Sequence, residues 1–135
     1  MTQSCPESSS KTVLTYGTFD LFHIGHVRLL QRLRDIGSRV IVGVSTDEFN
    51  AQKGKKTIIP YDQRVEILKA LKLVDLVIEE SCWEQKKKDI VDHHVDVFAM
   101  GDDWKGKFDE LASYCEVIYL PRTSSVSSTG IKAAL

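Results

Sequence analysis

Two histidines three residues apart, His23 and His26, flank Gly25 in the run Thr15-Tyr16-Gly17-Thr18-Phe19-Asp20-Leu21-Phe22-His23-Ile24-Gly25-His26. Imidazoles at this spacing can donate to one anion or supply two ligands to a metal. No third metal ligand stands nearby. The position of the pair bears on the choice. Val13 to Tyr16 is an apolar run that reads as a buried strand, and Gly17 breaks it. Leu29, Leu30, Leu33 and Ile36 then recur at helical spacing. The histidines therefore fall where a strand hands over to a helix. A helix N-terminus carries unpaired N–H groups and partial positive charge, which suits a phosphate. Gly25 removes a side chain where a ligand needs close approach. A histidine at a helix start is also often a plain polar surface group, so the pair alone leaves phosphate chemistry open.

Other residues have two readings each. Lys53, Lys55 and Lys56 form either a solvated charged loop or a cationic flap over phosphate oxygens. Asp47 follows a strand and can accept from a substrate hydroxyl, or serve as a helix cap or turn residue. Arg64, early in a helix, has a surface ion pair as its ordinary role. The acids of Gly101-Asp102-Asp103-Trp104 can accept from ribose hydroxyls or an exocyclic amine. Asp102 can equally cap a helix, and Trp104 can be core. Arg122 to Thr129 is a linker with a helix cap, or a second helix N-terminus holding phosphates. The adjacent His93 and His94 read as ordinary helix-end residues.

The elements that must position these residues alternate. Strand-like runs are Val13–Tyr16, Val40–Ser45, Val74–Ile78, Val95–Met100 and Val117–Leu120. Gly37 stops the first helix. Thr46 to Ile59 is polar and loop-like. Pro60 opens a helix striped by Val65, Leu68 and Leu71. Ser81 and Glu84 have capping-box spacing for a third helix through Trp83, Lys87, Ile90 and Val91. Trp104, Phe108, Leu111, Ala112 and Cys115 trace a further helical face, and a short final helix is expected from about Ser127. Continuous apolar strands argue for burial on both faces. The expected fold is a single α/β domain, a Rossmann-like doubly wound five-stranded parallel sheet, over residues 12–135. Residues 1–11 read as a disordered tail. Ligands of such sheets bind beyond the carboxyl ends of the strands. Thr18 to His26, Asp47, Gly101 to Trp104 and Arg122 to Ser128 all follow strands.

Composition narrows the classes. The chain has 135 residues with 42% hydrophobic content, enough for one packed core, and a net charge of −1, which implies no nucleic-acid-binding surface. Cys5, Cys82 and Cys115 are scattered without metal or disulfide spacing, which fits a reducing cytoplasm. No apolar run approaches the roughly 18 residues of a membrane span, and residues 1–10 lack the apolar core of a signal peptide.

The run GTFDLFHIGH resembles the signature of the cytidylyltransferases, within the HxGH nucleotidyltransferase superfamily. STDEFNAQKGKK, WEQKKKDIVDHHVDVFAMGDDWKGKF, CEVIYLPRT and the serine-rich end are similar to the glycerol-3-phosphate cytidylyltransferases among them. The resemblance spans nearly all of residues 12–132. It implies a cytoplasmic, typically homodimeric enzyme that makes CDP-glycerol from CTP and sn-glycerol 3-phosphate for teichoic-acid-like or capsular polymers. Mg²⁺ would be delivered with CTP, with no dedicated protein metal site. Sister enzymes take phosphoethanolamine, phosphocholine or a sugar phosphate as acceptor. The resemblance assigns His23, His26, Lys53, Lys55 and Arg122 to catalysis. It assigns Thr18, Phe19, Gly25, His26, Asp103, Trp104, Arg122, Thr123 and Ser127 to the nucleotide. Asp20, Asp47, Lys53, Lys55, Arg64, Asp75 and Trp83 go to the acceptor or its support. Lys72 stands where the family often has arginine, and Ser124-Ser125 replaces an acid and a glycine.

Overall fold

The computed structural model describes residues 10–121. In chain order the elements are β1 (Thr12–Gly17), α1 (Ile24–Ile36), β2 (Arg39–Ser45), α2 (Asp47–Gln52), α3 (Tyr61–Lys69), β3 (Leu76–Glu80), α4 (Gln85–Asp92), β4 (Val97–Gly101) and β5 (Glu116–Leu120). Two short 3₁₀ turns, Asp102–Trp104 and Asp109–Ser113, join β4 to β5. The strands form one parallel sheet in the order β3-β2-β1-β4-β5. This is the expected Rossmann-like arrangement. Residues 1–9 of the expected tail over 1–11, and the final helix from Ser127, lie outside the described residues.

Alternate strand residues serve two apolar layers, because successive side chains leave a strand on opposite faces. Val13, Val40, Val42, Val44 and Val97 pack with Leu30 and Leu33 of α1 and Leu68 of α3. Leu14, Tyr16, Ile41 and Phe98 pack with Ile90 of α4, with Phe108 and with Leu111 of the second 3₁₀ turn. Burial on both faces explains the near-continuous apolar strands. Gly37 ends α1 in extended backbone, at φ −147°. Its need is space: a Cβ there would lie 2.5 Å from the Lys11 carbonyl oxygen and 2.7 Å from Val13 Cγ2.

Four local expectations change. β3 runs two residues later than its apolar core suggests, so Glu79 and Glu80 belong to the strand. The polar stretch after β2 contains α2, capped by the Thr46 hydroxyl accepting from the Phe49 N–H at 3.0 Å. Helix α4 begins at Gln85, with no Ser81–Glu84 capping box. The Gln85 side chain instead accepts from the N–H groups of Ser81 (2.7 Å) and Cys82 (3.1 Å) and donates to the Glu79 carbonyl (2.7 Å). The apolar positions from Trp104 to Cys115 do not make one helix. Gly106 sits between the two 3₁₀ turns at φ +85°, which an α-helix does not accommodate.

Candidate active site

The loop after β1 is locally strained. Phe19 and Leu21 adopt φ +53° and +50°, in the left-handed region that non-glycine residues rarely enter. Phe19 is nonetheless buried, folded back against the end of β1. Gly17 permits this, since a Cβ there would lie 2.7 Å from Phe19 Cε2. The turn delivers His23 as the cap of α1. His23 Nδ1 accepts from the Gly25 N–H at 3.0 Å, and His26 Nδ1 accepts from the His23 N–H at 3.1 Å. A nitrogen that accepts carries no proton, so each neutral ring bears its hydrogen on Nε2. Both rings resist protonation. Burial holds His26 down to about 4, aided by repulsion from His23 and opposed by Asp20. Burial also lowers His23. The rings stack at 4.0 Å, and Phe19 and Phe22 pack on His26, each at 5.2 Å. His23 Nε2 is buried with no hydrogen-bond partner among the described residues. Such a donor costs free energy unless a ligand accepts from it.

A cavity of ≈430 Å³ opens beside this turn. Thr18, Phe19, Asp20, His26, Lys53, Lys55, Trp83 and Trp104 line it, eight of the residues singled out from sequence. Lys53 Nζ stands 4.4 Å over the Phe49 ring and 5.4 Å over Trp83, and Lys55 Nζ is 6.0 Å from the Trp104 ring. Trp83 packs edge-on to Phe49 at 5.3 Å and lies 6.1 Å from Trp104. Burial lowers the Lys53 pKa. Glu80 opposes that fall, while Lys55, Lys86 and Arg64 add to it. Gly54, at φ +76°, turns the chain between Lys53 and Lys55.

Three lining residues were not anticipated individually: Ser45, Glu80 and Lys86. All are buried. Lys86 Nζ donates to Glu80 Oε2 at 2.7 Å, and Ser45 Oγ donates to Glu80 Oε1 at 2.8 Å. Lys86 Nζ also stands 4.7 Å from the Tyr16 ring and 4.9 Å from Trp83. Tyr16 is pinned in turn, its hydroxyl donating to Asp89 Oδ2 at 2.5 Å. Burial and that bond both raise the Tyr16 pKa. Glu80 carried one partial signal, because it comes just after the strand-like run Val74–Ile78, at the end of the sheet where ligands bind. Nothing local in the sequence marks Lys86 as buried.

Arg64, Asp47 and Asp20 build the site's frame. Arg64 is 0% exposed and is no surface ion pair. Its guanidinium donates to the carbonyls of Ile59 (2.9 Å), Thr18 (2.8 Å) and Ser45 (2.8 Å), and to Asp47 Oδ1 (2.7 Å). Asp47 is correspondingly turned toward the protein, accepting also from the Tyr61 N–H (3.1 Å) and the Thr57 hydroxyl (3.0 Å). Its partial burial tends to raise its pKa, but these donors and Arg64 outweigh that and lower it. Asp20 lines the cavity while its two oxygens accept from the N–H groups of Ile58 (2.7 Å) and Ile59 (2.9 Å). It thereby anchors the chain just after the lysines.

His23 caps α1 and stacks on His26 without lining the cavity, and two other expected site residues fall elsewhere. Asp75 precedes β3, at the opposite end of the sheet, where it accepts from the Val40 N–H at 2.7 Å and pairs with Arg34. It ties β2 to α1 and cannot reach the cavity. Asp103 is exposed on its 3₁₀ turn and does not line the cavity, although its neighbour Trp104 does. Gly25 acts through its N–H to His23. Arg122, Thr123 and Ser127 lie outside the described residues.

A family model described as cytidylyltransferase-like matches residues 14–134. The glycerol-3-phosphate cytidylyltransferase of Bacillus subtilis (strain 168) is 57% identical over 122 residues, covering 90% of this chain and 95% of that protein. The enzyme of the same description from Staphylococcus aureus (strain NCTC 8325 / PS 47) is 53% identical over 125 residues, covering 93% of this chain and 95% of its own. A solved lipopolysaccharide core biosynthesis protein from Thermoplasma volcanium GSS1 superposes with a TM-score of 0.73 at 23% identity, over 84% of this chain and 98% of that one. At that identity the likeness concerns the fold.

Proposed function

The chain belongs to the cytidylyltransferase-like family, and from that premise we propose that it transfers CMP from CTP to sn-glycerol 3-phosphate, giving CDP-glycerol and pyrophosphate. The observation that carries the reading is one cavity in which His26, Lys53, Lys55 and Lys86 converge beside Trp83 and Trp104. Such a cavity suits two phosphate-bearing substrates.

An oxygen of the acceptor phosphate attacks the α-phosphorus of CTP. The new O–P bond forms as the bond from the α-phosphorus to the bridging oxygen breaks, and pyrophosphate leaves with that electron pair. The acceptor phosphate is already ionised, so no strong general base is needed. The protein's work is to hold two anions in line and stabilise charge as it shifts. His23 and His26 donate from Nε2 to phosphate oxygens without adding charge. Lys53 and Lys55 supply compact positive charge, and Lys86 is placed to do the same from α4. The indoles of Trp83 and Trp104 offer flat apolar surface. Arg64, Asp47 and Asp20 hold the surrounding loops and do not touch the reacting atoms.

The reading includes Mg²⁺ arriving on the triphosphate, as a hard cation with oxygen ligands. No group of three or more His, Cys, Asp or Glu among the described residues could hold a metal ion. They make no cage for it, and no step above runs through one. No described helix is long and apolar enough to cross a membrane. A cytoplasmic homodimer feeding a glycerol-phosphate cell-surface polymer belongs to the same proposal, with sedimentation as the test of the dimer.

The test is pyrophosphate release with CTP, Mg²⁺ and a panel of acceptors, repeated with ATP and GTP. The expected result is release that needs CTP and glycerol 3-phosphate together. Release with CTP and only phosphocholine, phosphoethanolamine or a sugar phosphate would reassign the acceptor. CTP binding without release from any pair would overturn the catalytic reading.

A further inference from the structure

Glu80 takes no part in the steps above, yet it is the hub of the buried polar groups in the cavity. It is 3% exposed at the end of β3. Oε2 accepts from Lys86 Nζ at 2.7 Å and Oε1 from Ser45 Oγ at 2.8 Å. Ser45 Oγ accepts in turn from Lys53 Nζ at 3.4 Å. One carboxylate is therefore joined to two lysines, directly to one and through a hydroxyl to the other. Those lysines come from different elements, Lys86 from α4 and Lys53 from the end of α2. Both ammonium groups approach the same Trp83 ring, at 4.9 and 5.4 Å.

A buried ion pair is a weak source of stability, because desolvation offsets most of its attraction. Its geometry here has a more specific use. An ammonium has three donors. One donor of Lys86 goes to Glu80 and one of Lys53 to Ser45, which fixes the direction of the rest. Charge points the same way. Lys53 is surrounded by Lys55 and Lys56 of its own loop, Lys86 of α4 and Arg64 of α3. Of the facing acids, Asp20 is committed to Ile58 and Ile59, and Asp47 to Arg64, Thr57 and Tyr61. His26 is neutral. Glu80 is thus the acid placed between the lysines.

We propose that Glu80 is a positioning residue for the acceptor: it aims Lys86 and Lys53 at one point beside Trp83, where a phosphate dianion enters between them. This rests on the acceptor reading above. The acceptor's phosphate then binds to lysines already oriented, and little side-chain entropy remains to be lost. One carboxylate against two ammonium groups leaves a net positive site, so Glu80 orders the cations without cancelling them.

The test compares wild type, Glu80→Gln and Glu80→Asp in two ways. Steady-state kinetics with glycerol 3-phosphate and CTP give separate KM values. Lysine side-chain NMR, with Lys53 assigned by substitution, follows its titration directly. In Glu80→Gln the KM for glycerol 3-phosphate rises at least about tenfold, as for loss of a charge-assisted contact, while the KM for CTP changes less than about threefold. The Lys53 titration and the alkaline limb of kcat/KM for the acceptor both move about one pH unit lower, because the opposing charge is gone. In Glu80→Asp the titration stays near wild type while the acceptor KM still rises, since the shorter carboxylate draws Lys86 back. An unchanged Lys53 titration in Glu80→Gln, or parallel losses for CTP and acceptor, would overturn the proposal. Should Glu80→Gln fail to fold, a wild-type acceptor KM in Glu80→Asp would do so. A wild type that uses no glycerol 3-phosphate would sink the preceding reading instead, and the Lys53 titration would still decide the role of Glu80.

Discussion

The main-chain N–H of His23 donates to Nδ1 of His26 at 3.1 Å, and this one bond sets the tautomer of a cavity-lining imidazole. With Nδ1 occupied as an acceptor, the ring proton sits on Nε2. His26 is therefore a neutral donor held in place by the first turn of its own helix. The stacked His23 ring, tied in the same manner to the Gly25 N–H, gives the turn two such donors.

Replacing His26 by alanine removes one donor to the charge that develops in transfer. The expected loss is roughly 10²–10³ in kcat, or about 2.7–4 kcal/mol, by analogy with deletion of a single oxyanion donor. The Kd for CTP, measured by calorimetry, should change by less than about fivefold. A kcat near wild type would remove His26 from the chemistry.

The same residue gives a pH signature in stability. Its folded pKa of about 4 lies below the ordinary 6.5. The unfolded chain therefore takes up the proton first as pH falls. Stability from neutral His26 is complete above about pH 6.5 and declines between about 6.5 and 4, with a ceiling of about 3 kcal/mol. His26→Asn keeps an oxygen able to accept from the His23 N–H but does not titrate. Denaturant unfolding across this range should show the wild type losing more stability than the variant. Parallel curves would contradict the buried neutral imidazole.

Arg64 ties the loops after β1 and β2 to the segment entering α3. Arg64→Met leaves the carbonyls of Thr18, Ser45 and Ile59 without this donor, while the partly exposed Asp47 carboxylate keeps Thr57 and Tyr61. Each buried carbonyl left unpaired costs about 1–3 kcal/mol, which together corresponds to a fall in Tm on the order of 10 °C. Arg64→Lys should fall between, because an ammonium cannot span the guanidinium's fork. Scanning calorimetry ranks the three, and a Tm for Arg64→Met within about 2 °C of wild type would contradict the frame role.

Gly54 supports the lysine turn by conformation alone. At φ +76° a side chain is strained, yet a Cβ would meet nothing within 4 Å. Gly54→Ala should cost about 1 kcal/mol or shift the turn to escape that cost. kcat/KM should fall more for Gly54→Val than for Gly54→Ala, and least for Gly54→Asn, which tolerates the left-handed region. An equal effect from all three would point to some cause other than backbone strain.

The sheet was legible because each strand is an apolar run, and the ligand edge followed from the fold class. Asp75 fell inside the expected strand Val74–Ile78, and only the later start of β3 at Leu76 puts it at the strand's entry, away from the cavity. Helix α2 escaped because it is short and polar, though Thr46, Asp47 and Glu48 carry the cap and the first-turn acids. Glu80 and Lys86 were harder. Charged side chains are ordinarily exposed, and these two are buried by pairing across a strand end and a helix that no sequence periodicity links. For Arg64 the same rule made a surface ion pair the ordinary role, and the resemblance alone assigned it to the site. The break at Gly106 was visible as a lone glycine, but the apolar spacing around it imitated a helix.

The order β3-β2-β1-β4-β5 has a further consequence. The chain leaves β1 to build one wing of the sheet and returns on the other side of β1 to build the second. The Thr18–His26 turn leads to a helix packed in one apolar layer, while the segment after β4 leads to residues of the other. The opening between them is a product of connectivity, not of small side chains hollowing a core. Exchanging Trp83, Lys86 or Trp104 would reshape the space without closing it, while the histidine turn stays intact. The histidine turn and the side chains that shape the space beside it are thus separate parts of the chain, so one can change without rebuilding the other.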